Sequence, residues 1–293
     1  MLVHIKELFP ENGKNVIGKF AYPAFNTMNL ETTLGIISAA EEMNTPVILE
    51  TSEGAIKYAG LETLYEIMAT LAVKAKVPIA LHMDHGKNAE QLKRGIELGY
   101  SSVMIDHSGL SFEENVRDTK AMVEFAHNEG AWVQGEIGRM RGSEDWVSVS
   151  DEEALLTDPS EAKRFFEATG VDTLASSVGT IHGIIKMSGK VQAHVDIERI
   201  QKIREAVPNV PLVLHGASGV PDDVIEKAIQ AGIAIINIDT ELRIGFTHEL
   251  RVFLASHPDE VDPRKYLNPA IEGVKQVAMK KLKSFKTQNL IKS

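Results

Sequence analysis

Short runs of apolar, largely β-branched residues alternate along the chain with stretches whose apolar positions recur every three or four residues. The first kind predicts strands near 17–22, 46–51, 78–83, 101–106, 131–137, 171–176, 210–214 and 233–238. The second predicts helices near 30–44, 61–75, 88–98, 112–129, 160–168, 196–206, 221–231 and 241–255. The helix at 112–129 opens after Ser111 with Glu113 and Glu114 in its first turn, where the helix dipole favours negative charge. Eight strand–helix repeats in 293 residues predict an α/β fold, a (β/α)8 TIM barrel, as a single domain over 1–293. A doubly wound open sheet is the structural rival, and the lack of a Gly-x-Gly-x-x-Gly fingerprint counts against it. The segment 138–159 is long for a βα connection, and loops of that length are usually functional lids or disordered. A further helical stretch, 266–284, lies beyond the barrel count and either caps it or reaches a neighbouring subunit.

Composition narrows the function classes. With 41 acidic and 31 basic side chains the formal net charge is −10, which argues against nucleic acid as a partner. An anionic substrate must then be held by local donors rather than by the overall field. The chain has no cysteine, so it has neither disulfides, nor a thiolate metal site, nor a cysteine nucleophile. The opening Met1-Leu2-Val3-His4-Ile5-Lys6-Glu7 does not read as a signal peptide. No window reaches about 18 consecutive apolar residues, so no membrane span is predicted and the cytoplasm is the expected location.

Three of the predicted strands run into histidine beside glycine. They are Ile79-Ala80-Leu81-His82-Met83-Asp84-His85-Gly86, Ser177-Val178-Gly179-Thr180-Ile181-His182-Gly183 and Val210-Pro211-Leu212-Val213-Leu214-His215-Gly216. Imidazoles from three strand tips are the ligand set of a catalytic zinc that keeps one position open. In a barrel, chemistry gathers at the C-terminal strand ends. Those ends carry Asn26, Ser52, Asp84 with His85, Asp106, Glu136, His182, His215, and Asn237 with Asp239. Asp84 beside His85 reads as a proton carrier next to a Lewis acid, or alternatively as a carboxylate that orients a ligand imidazole. His82 comes too early to reach the rim and reads as structural. His107 is ambiguous, and His4, His127, His194, His248 and His257 read as surface or core residues. Gly216-Ala217-Ser218-Gly219 after the seventh strand, and Asn237-Ile238-Asp239-Thr240 entering a helix after the eighth, are suited to bind phosphate. Lys186 and Arg243 add positive charge there.

At this point the chain resembles the class II, metal-dependent fructose-bisphosphate aldolases, in the subgroup shared with tagatose-bisphosphate aldolases. The resemblance covers nearly the whole length. It runs through Pro23-Ala24-Phe25-Asn26, Ser52-Glu53-Gly54-Ala55, Asp84-His85-Gly86, Phe112-Glu113-Glu114-Asn115 and Gly135-Glu136-Ile137-Gly138. It continues in Gly142-Ser143-Glu144-Asp145, Gly179-Thr180-Ile181-His182-Gly183, His215-Gly216-Ala217-Ser218-Gly219, Asn237-Ile238-Asp239-Thr240 and Asp262-Pro263-Arg264-Lys265-Tyr266-Leu267.

The resemblance implies reversible cleavage of fructose 1,6-bisphosphate into dihydroxyacetone phosphate and glyceraldehyde 3-phosphate, through a zinc-stabilised enediolate, as a step of carbohydrate metabolism such as glycolysis. It assigns the zinc to His85, His182 and His215, the C4-hydroxyl proton to Asp84, and the proton at the dihydroxyacetone-phosphate carbon to Glu144 on the 138–159 loop. Asp106 and Glu136 match positions that bind a second divalent metal or support the imidazoles. Gly183, Lys186, Gly216 and Ser218 would cradle one phosphate, with Asn237 and Thr240 at the triose and Asn26 and Ser52 alongside. Arg264 matches an arginine that reaches the other phosphate from an adjacent subunit, so a homodimer or homotetramer is implied, and a monovalent cation near the phosphate loop is common in the family. Asp239 with Arg243 is the pair that accompanies fructose rather than tagatose bisphosphate. Two segments depart from the pattern: Asp106-His107-Ser108-Gly109, where the family's glycine and histidine are exchanged, and residues 184–196. The alternatives are another ketose-phosphate aldolase, a zinc hydrolase, and a sugar-phosphate-binding barrel without catalysis.

Overall fold

The computed structural model describes residues 1–13, 15–139, 141–144, 147–149, 155–182 and 194–291; the side chains of residues 11–12, 141–144, 147–149 and 182 are also outside the description. In chain order the elements are β1 (Tyr22–Asn26), α1 (Leu30–Glu42), β2 (Val47–Ser52), α2 (Glu53–Ala59), α3 (Leu61–Lys74), β3 (Ile79–Gly86), α4 (Ala89–Leu98), β4 (Ser102–Ile105), α5 (Phe112–Asn128) and β5 (Trp132–Ile137). They continue with β6 (Arg141–Glu144), β7 (Val147–Val149), α6 (Pro159–Thr169), β8 (Thr173–Ser176), β9 (Ile181–His182), α7 (Ile197–Ala206), β10 (Leu212–Leu214), α8 (Asp222–Ala231), β11 (Ile233–Ile238), α9 (Thr240–Ser256) and α10 (Pro263–Ser284).

Eight parallel strands close a barrel in the order β1-β11-β10-β8-β5-β4-β3-β2. The expected TIM barrel is therefore the fold, and the open sheet is excluded by closure. The strands are buried on both faces, which is why they read as apolar runs rather than as clean alternation. Helix starts follow local chemistry. Ser111 Oγ accepts the Glu114 N–H at 3.3 Å while Glu114 Oε2 accepts the Ser111 N–H at 3.1 Å, a reciprocal cap that fixes where α5 begins.

Three readings are corrected. The first strand lies at Tyr22–Asn26, not at 17–22. Residues 15–19 instead form turns, with Val16 N–H bonded to Gly13 O at 2.8 Å. The run 17–22 mimics a strand because Phe20, Ala21 and Tyr22 at its end pack into the core. The helix α2 was not anticipated. It is one short piece, capped by the Ser52 hydroxyl and ended at Gly60, whose φ of +85° turns the chain into α3. Finally, the 138–159 connection is not irregular throughout: β6 pairs antiparallel with β7 and parallel with β9 in a separate three-stranded sheet.

The core has two parts. The larger lies between the barrel and its helices. The smaller fills the N-terminal end of the barrel, where Ile5, Leu8, Phe9 and Val16 pack on Ala24, Ile48, Ala80 and Val213. The helices α9 and α10 cross where Gly245 and Gly273 bring their backbones together; a Cβ on Gly245 would lie 2.8 Å from Gly273 O.

Candidate active site

The site is built on β3. Asp84 and His85 are consecutive, and in a regular strand they would point to opposite faces. The β3–β4 register shifts between Met83 and Gly86, and His85 takes a φ of +49°, so the strand bulges and both side chains come to one side. Asp84 Oδ1 lies 3.9 Å from His85 Nε2. The Asp84 carboxylate is 2% exposed. Asn26 Nδ2 donates to its Oδ2 at 2.9 Å and Asn237 Nδ2 to its Oδ1 at 3.4 Å, so β1 and β11 aim it.

His85 Nδ1 donates to Asp106 Oδ2 at 3.0 Å, with Glu136 Oε2 at 3.9 Å. This bond fixes the imidazole and leaves Nε2 pointing at His215 Nδ1, 2.8 Å away. On the far side of the His215 ring, the Gln134 amide lies 2.9 Å from Nε2. Each histidine thus has one nitrogen held by a neighbour and the other turned toward the same point. His85 donates to a carboxylate as a ligating imidazole does, whereas His215 Nε2 accepts from Gln134 Nε2, and offering Nδ1 to a metal needs that amide reversed. A carboxylate-assisted His85 and an amide-assisted His215 form a donor set that fits a nitrogen-loving divalent metal. Burial alone would depress the His85 pKa, but the carboxylates of Asp84, Asp106 and Glu136 outweigh it and hold it well above the usual range. The same negative field favours any cation between the rings. For Asp106, burial pushes upward, but the His85 hydrogen bond and charge, together with Ser108, drive its pKa far down.

The third expected ligand, His182, is in β9, where it pairs with Gly142 of β6. That pairing brings the strand carrying Glu144 beside the strand carrying His182. The side chains of both are outside the described residues, as are Gly183 and Lys186 altogether.

At the β11 end, Arg243 Nε donates to Asp239 Oδ1 at 2.8 Å and Nη2 lies 2.7 Å from Oδ2, a two-pronged pair in the first turn of α9. Asn237 and Ser218 are buried, Thr240 opens α9, and Gly216 has a φ of +62° after His215. The Ser52 hydroxyl caps α2. Arg264 is 88% exposed and pairs with Asp262, so among the described residues its hydrogen bonds go to no rim residue.

Two positions escaped the sequence reading. Gln134 stands two residues before Glu136 on β5, and Glu50 two residues before Ser52 on β2; the period-two pattern of polar residues was the available signal. Glu50, His82 and Asp84 offer atoms within 4.8 Å of one another. His82 is, as expected, interior rather than at the rim: Nδ1 bonds Ser102 Oγ at 2.8 Å, and burial, with His85 nearby, drives its pKa down to about 3. His107 is strapped between Asp118 Oδ2 at 2.9 Å and Lys87 O at 3.2 Å. The exchanged Asp106-His107-Ser108-Gly109 motif therefore still delivers Asp106 to His85.

The family model described as fructose-bisphosphate aldolase class-II matches residues 12–290. The chain belongs to that family. A fructose-bisphosphate aldolase from Thermus caldophilus is 46% identical over 283 residues, covering 89% of this chain and 92% of that protein. The YdjI aldolase from Escherichia coli K12 superposes with a TM-score of 0.82 at 34% identity, covering 98% of each chain. A fructose-bisphosphate aldolase from Campylobacter jejuni, 21% identical, shares the fold with a TM-score of 0.78 over 98% of this chain and 96% of its own. This family member is thus an aldolase, a lyase acting on a sugar phosphate, in a metal-dependent family, with candidate metal-binding residues in place. Among the described residues no helix is long and apolar enough to cross a membrane.

Proposed function

We propose that this single-domain barrel reversibly cleaves fructose 1,6-bisphosphate to dihydroxyacetone phosphate and glyceraldehyde 3-phosphate, with zinc as the metal. The observation that carries the reading is the convergence of His85 Nε2 and His215 Nδ1 at 2.8 Å beside the buried Asp84 carboxylate. His85, His215 and His182 would hold the zinc, which when bound supplies a Lewis acid that polarises the ketose carbonyl. Asp84, aimed by Asn26 and Asn237, takes the proton of the C4 hydroxyl as the C3–C4 bond breaks and the aldehyde leaves. The bonding pair stays with the dihydroxyacetone-phosphate half, and Glu144 delivers the proton to that carbon.

Gly183, Lys186, Gly216 and Ser218 hold one phosphate, with Asn237, Thr240, Asn26 and Ser52 around the triose. The Asp239–Arg243 pair, fixed at 2.8 and 2.7 Å, orients the distal half of a fructose-type chain. Asp106 and Glu136 steady His85 and can share a second divalent ion, and a monovalent cation belongs near the phosphate loop. A homodimer or homotetramer is supported by α9, which has only Leu242 fully buried and exposes Ile244, Val252 and Leu254, with Val261 and Arg264 exposed just beyond it. The expected setting is cytoplasmic carbohydrate metabolism, glycolysis included.

Parallel kinetics on fructose and tagatose 1,6-bisphosphates test the reading. Fructose bisphosphate should give the higher kcat/KM, chelation should abolish turnover, and added zinc should restore it. Asp239→Ala should narrow the preference by roughly 10- to 100-fold, the loss of one polar contact to substrate. Better turnover of the tagatose isomer would overturn the substrate and leave the aldolase. Turnover that survives chelation would overturn the metal.

A further inference from the structure

One buried cation plays no part in the reaction as derived above. Lys281, in the second half of α10, is 3% exposed, with Ala278, Leu282 and Phe285 around it fully buried. Its Nζ lies 2.6 Å from Glu241 Oε2. Glu241 stands in the first turn of α9, and its other oxygen, Oε1, accepts a 2.6 Å hydrogen bond from the Gly219 N–H. Gly219 closes the turn after Ser218 with a φ of +75°. A single carboxylate therefore joins three pieces: a helix outside the barrel repeat, the start of α9 just beyond Asn237 and Asp239, and the loop that follows His215.

The helix that supplies Lys281 is itself anchored. Ser284 Oγ donates to Asp222 Oδ1 at 2.8 Å and Lys286 Nζ to Glu226 Oε1 at 2.6 Å, so α10 is tied to α8, which that same loop leads into. A lysine buried against a half-buried glutamate gives little net stability over an apolar pair of the same size, because removing the lysine charge from water offsets most of the attraction. What such a pair supplies here is position.

We propose that Lys281 and Glu241 are positioning residues for the phosphate cradle. They fix the separation between the loop bearing Gly216 and Ser218 and the helix start bearing Thr240. With the Gly219 N–H committed to Glu241, the turn is set from outside the site. An incoming phosphate then meets a loop already ordered, and the ordering cost is removed from binding. The proposal rests on the reading that Gly216 and Ser218 hold a substrate phosphate.

The test compares the zinc-loaded enzyme with Lys281→Met, which keeps most of the volume without the charge, and with Lys281→Arg. The readouts are kcat and KM for fructose 1,6-bisphosphate, the inhibition constant of inorganic phosphate, and thermal melting. Lys281→Met should raise KM and the phosphate inhibition constant together, by roughly tenfold, with kcat changed less than about twofold. Lys281→Arg should recover most of the loss, which a role in stability alone would not require. An unchanged phosphate constant in folded Lys281→Met, or a fall in kcat without one in phosphate affinity, overturns the proposal. If Lys281→Met does not fold, Glu241→Gln keeps an oxygen for Gly219 and is judged by the same constant. Ser218→Ala separates the two layers. If it weakens phosphate while Lys281→Met does not, only the positioning idea fails; if it also leaves phosphate unaffected, the phosphate reading of the loop fails with it.

Discussion

The two ends of the barrel interior are made by the same strands and have opposite chemistry. At the N-terminal end Ala24, Ile48, Ala80, Val213 and Ile235 form a dry cluster closed from below by Ile5, Leu8, Phe9 and Val16. Two residues further along each strand, at the next inward position, stand Asn26, Glu50, His82, His215 and Asn237, all buried. Every one of these strands thus changes from apolar to polar within a single pleat repeat. The lower layer holds the strands in register, and the upper layer accepts the cost of buried polar groups in order to aim Asp84, His85 and His215. Stability and chemistry are separated along the barrel axis rather than between elements.

That separation can be tested from both ends. The largest effect is expected at the top: Asp84→Ala should lower kcat by about 10²–10⁴-fold while the protein still folds and binds metal. Loss of zinc from the folded variant would instead make Asp84 a support for the ligands. At the bottom, Ile48→Ala should cost about 2–5 kcal/mol in denaturant unfolding, with near-normal kcat in the folded fraction. If the two variants exchanged phenotypes, the division by height would be wrong.

Smaller effects sharpen it. His215 can offer Nδ1 to a metal only if Nε2 carries the proton, which needs the Gln134 amide turned over so that its oxygen, rather than the Nε2 that faces the ring here at 2.9 Å, accepts it. Gln134→Leu should therefore weaken metal binding by about 10- to 100-fold in a chelator competition, without loss of folding. Equal affinity in the two proteins would remove Gln134 from the site. The smallest effect is the pH dependence from His82. Its pKa is near 3 in the folded protein, below the ordinary value of 6.5, so the unfolded chain binds the extra proton first. Its contribution to stability is complete above pH 6.5 and falls as the pH drops toward 3, by up to about 1 kcal/mol per pH unit. His82→Asn should flatten that slope in urea titrations between pH 6 and 4, and an identical slope in both proteins would show that His82 titrates normally.

Much of this was legible in the sequence because it depends on local periodicity. Seven of the eight barrel strands, the positions of the longer helices and the Asp239–Arg243 pairing follow from short apolar runs, helical periodicity and i, i+4 spacing. The errors came where distant parts decide. Phe20 is apolar because it packs against the cluster at the N-terminal end of the barrel, a fact no local window contains. The β6–β9 pairing joins residues some 40 apart, so the long connection concealed its own sheet. Gln134 looked like one polar residue among many until the fold set it against His215. His182 and Glu144 were named on motif grounds, and their backbones, though not their side chains, are placed on β9 and β6.

The bulge at His85 has a consequence for how far this protein can drift. A left-handed backbone at a residue other than glycine costs about 1–2 kcal/mol, which the surrounding hydrogen bonds sustain. In return, the proposed proton carrier and a proposed metal ligand are joined by one peptide bond, and the interval between them does not depend on how any two elements pack. Core substitutions that tilt β3 or shift a helix move the pair as a unit relative to the substrate without pulling its members apart. The barrel walls can therefore accumulate changes while this one interval in its chemistry stays constant.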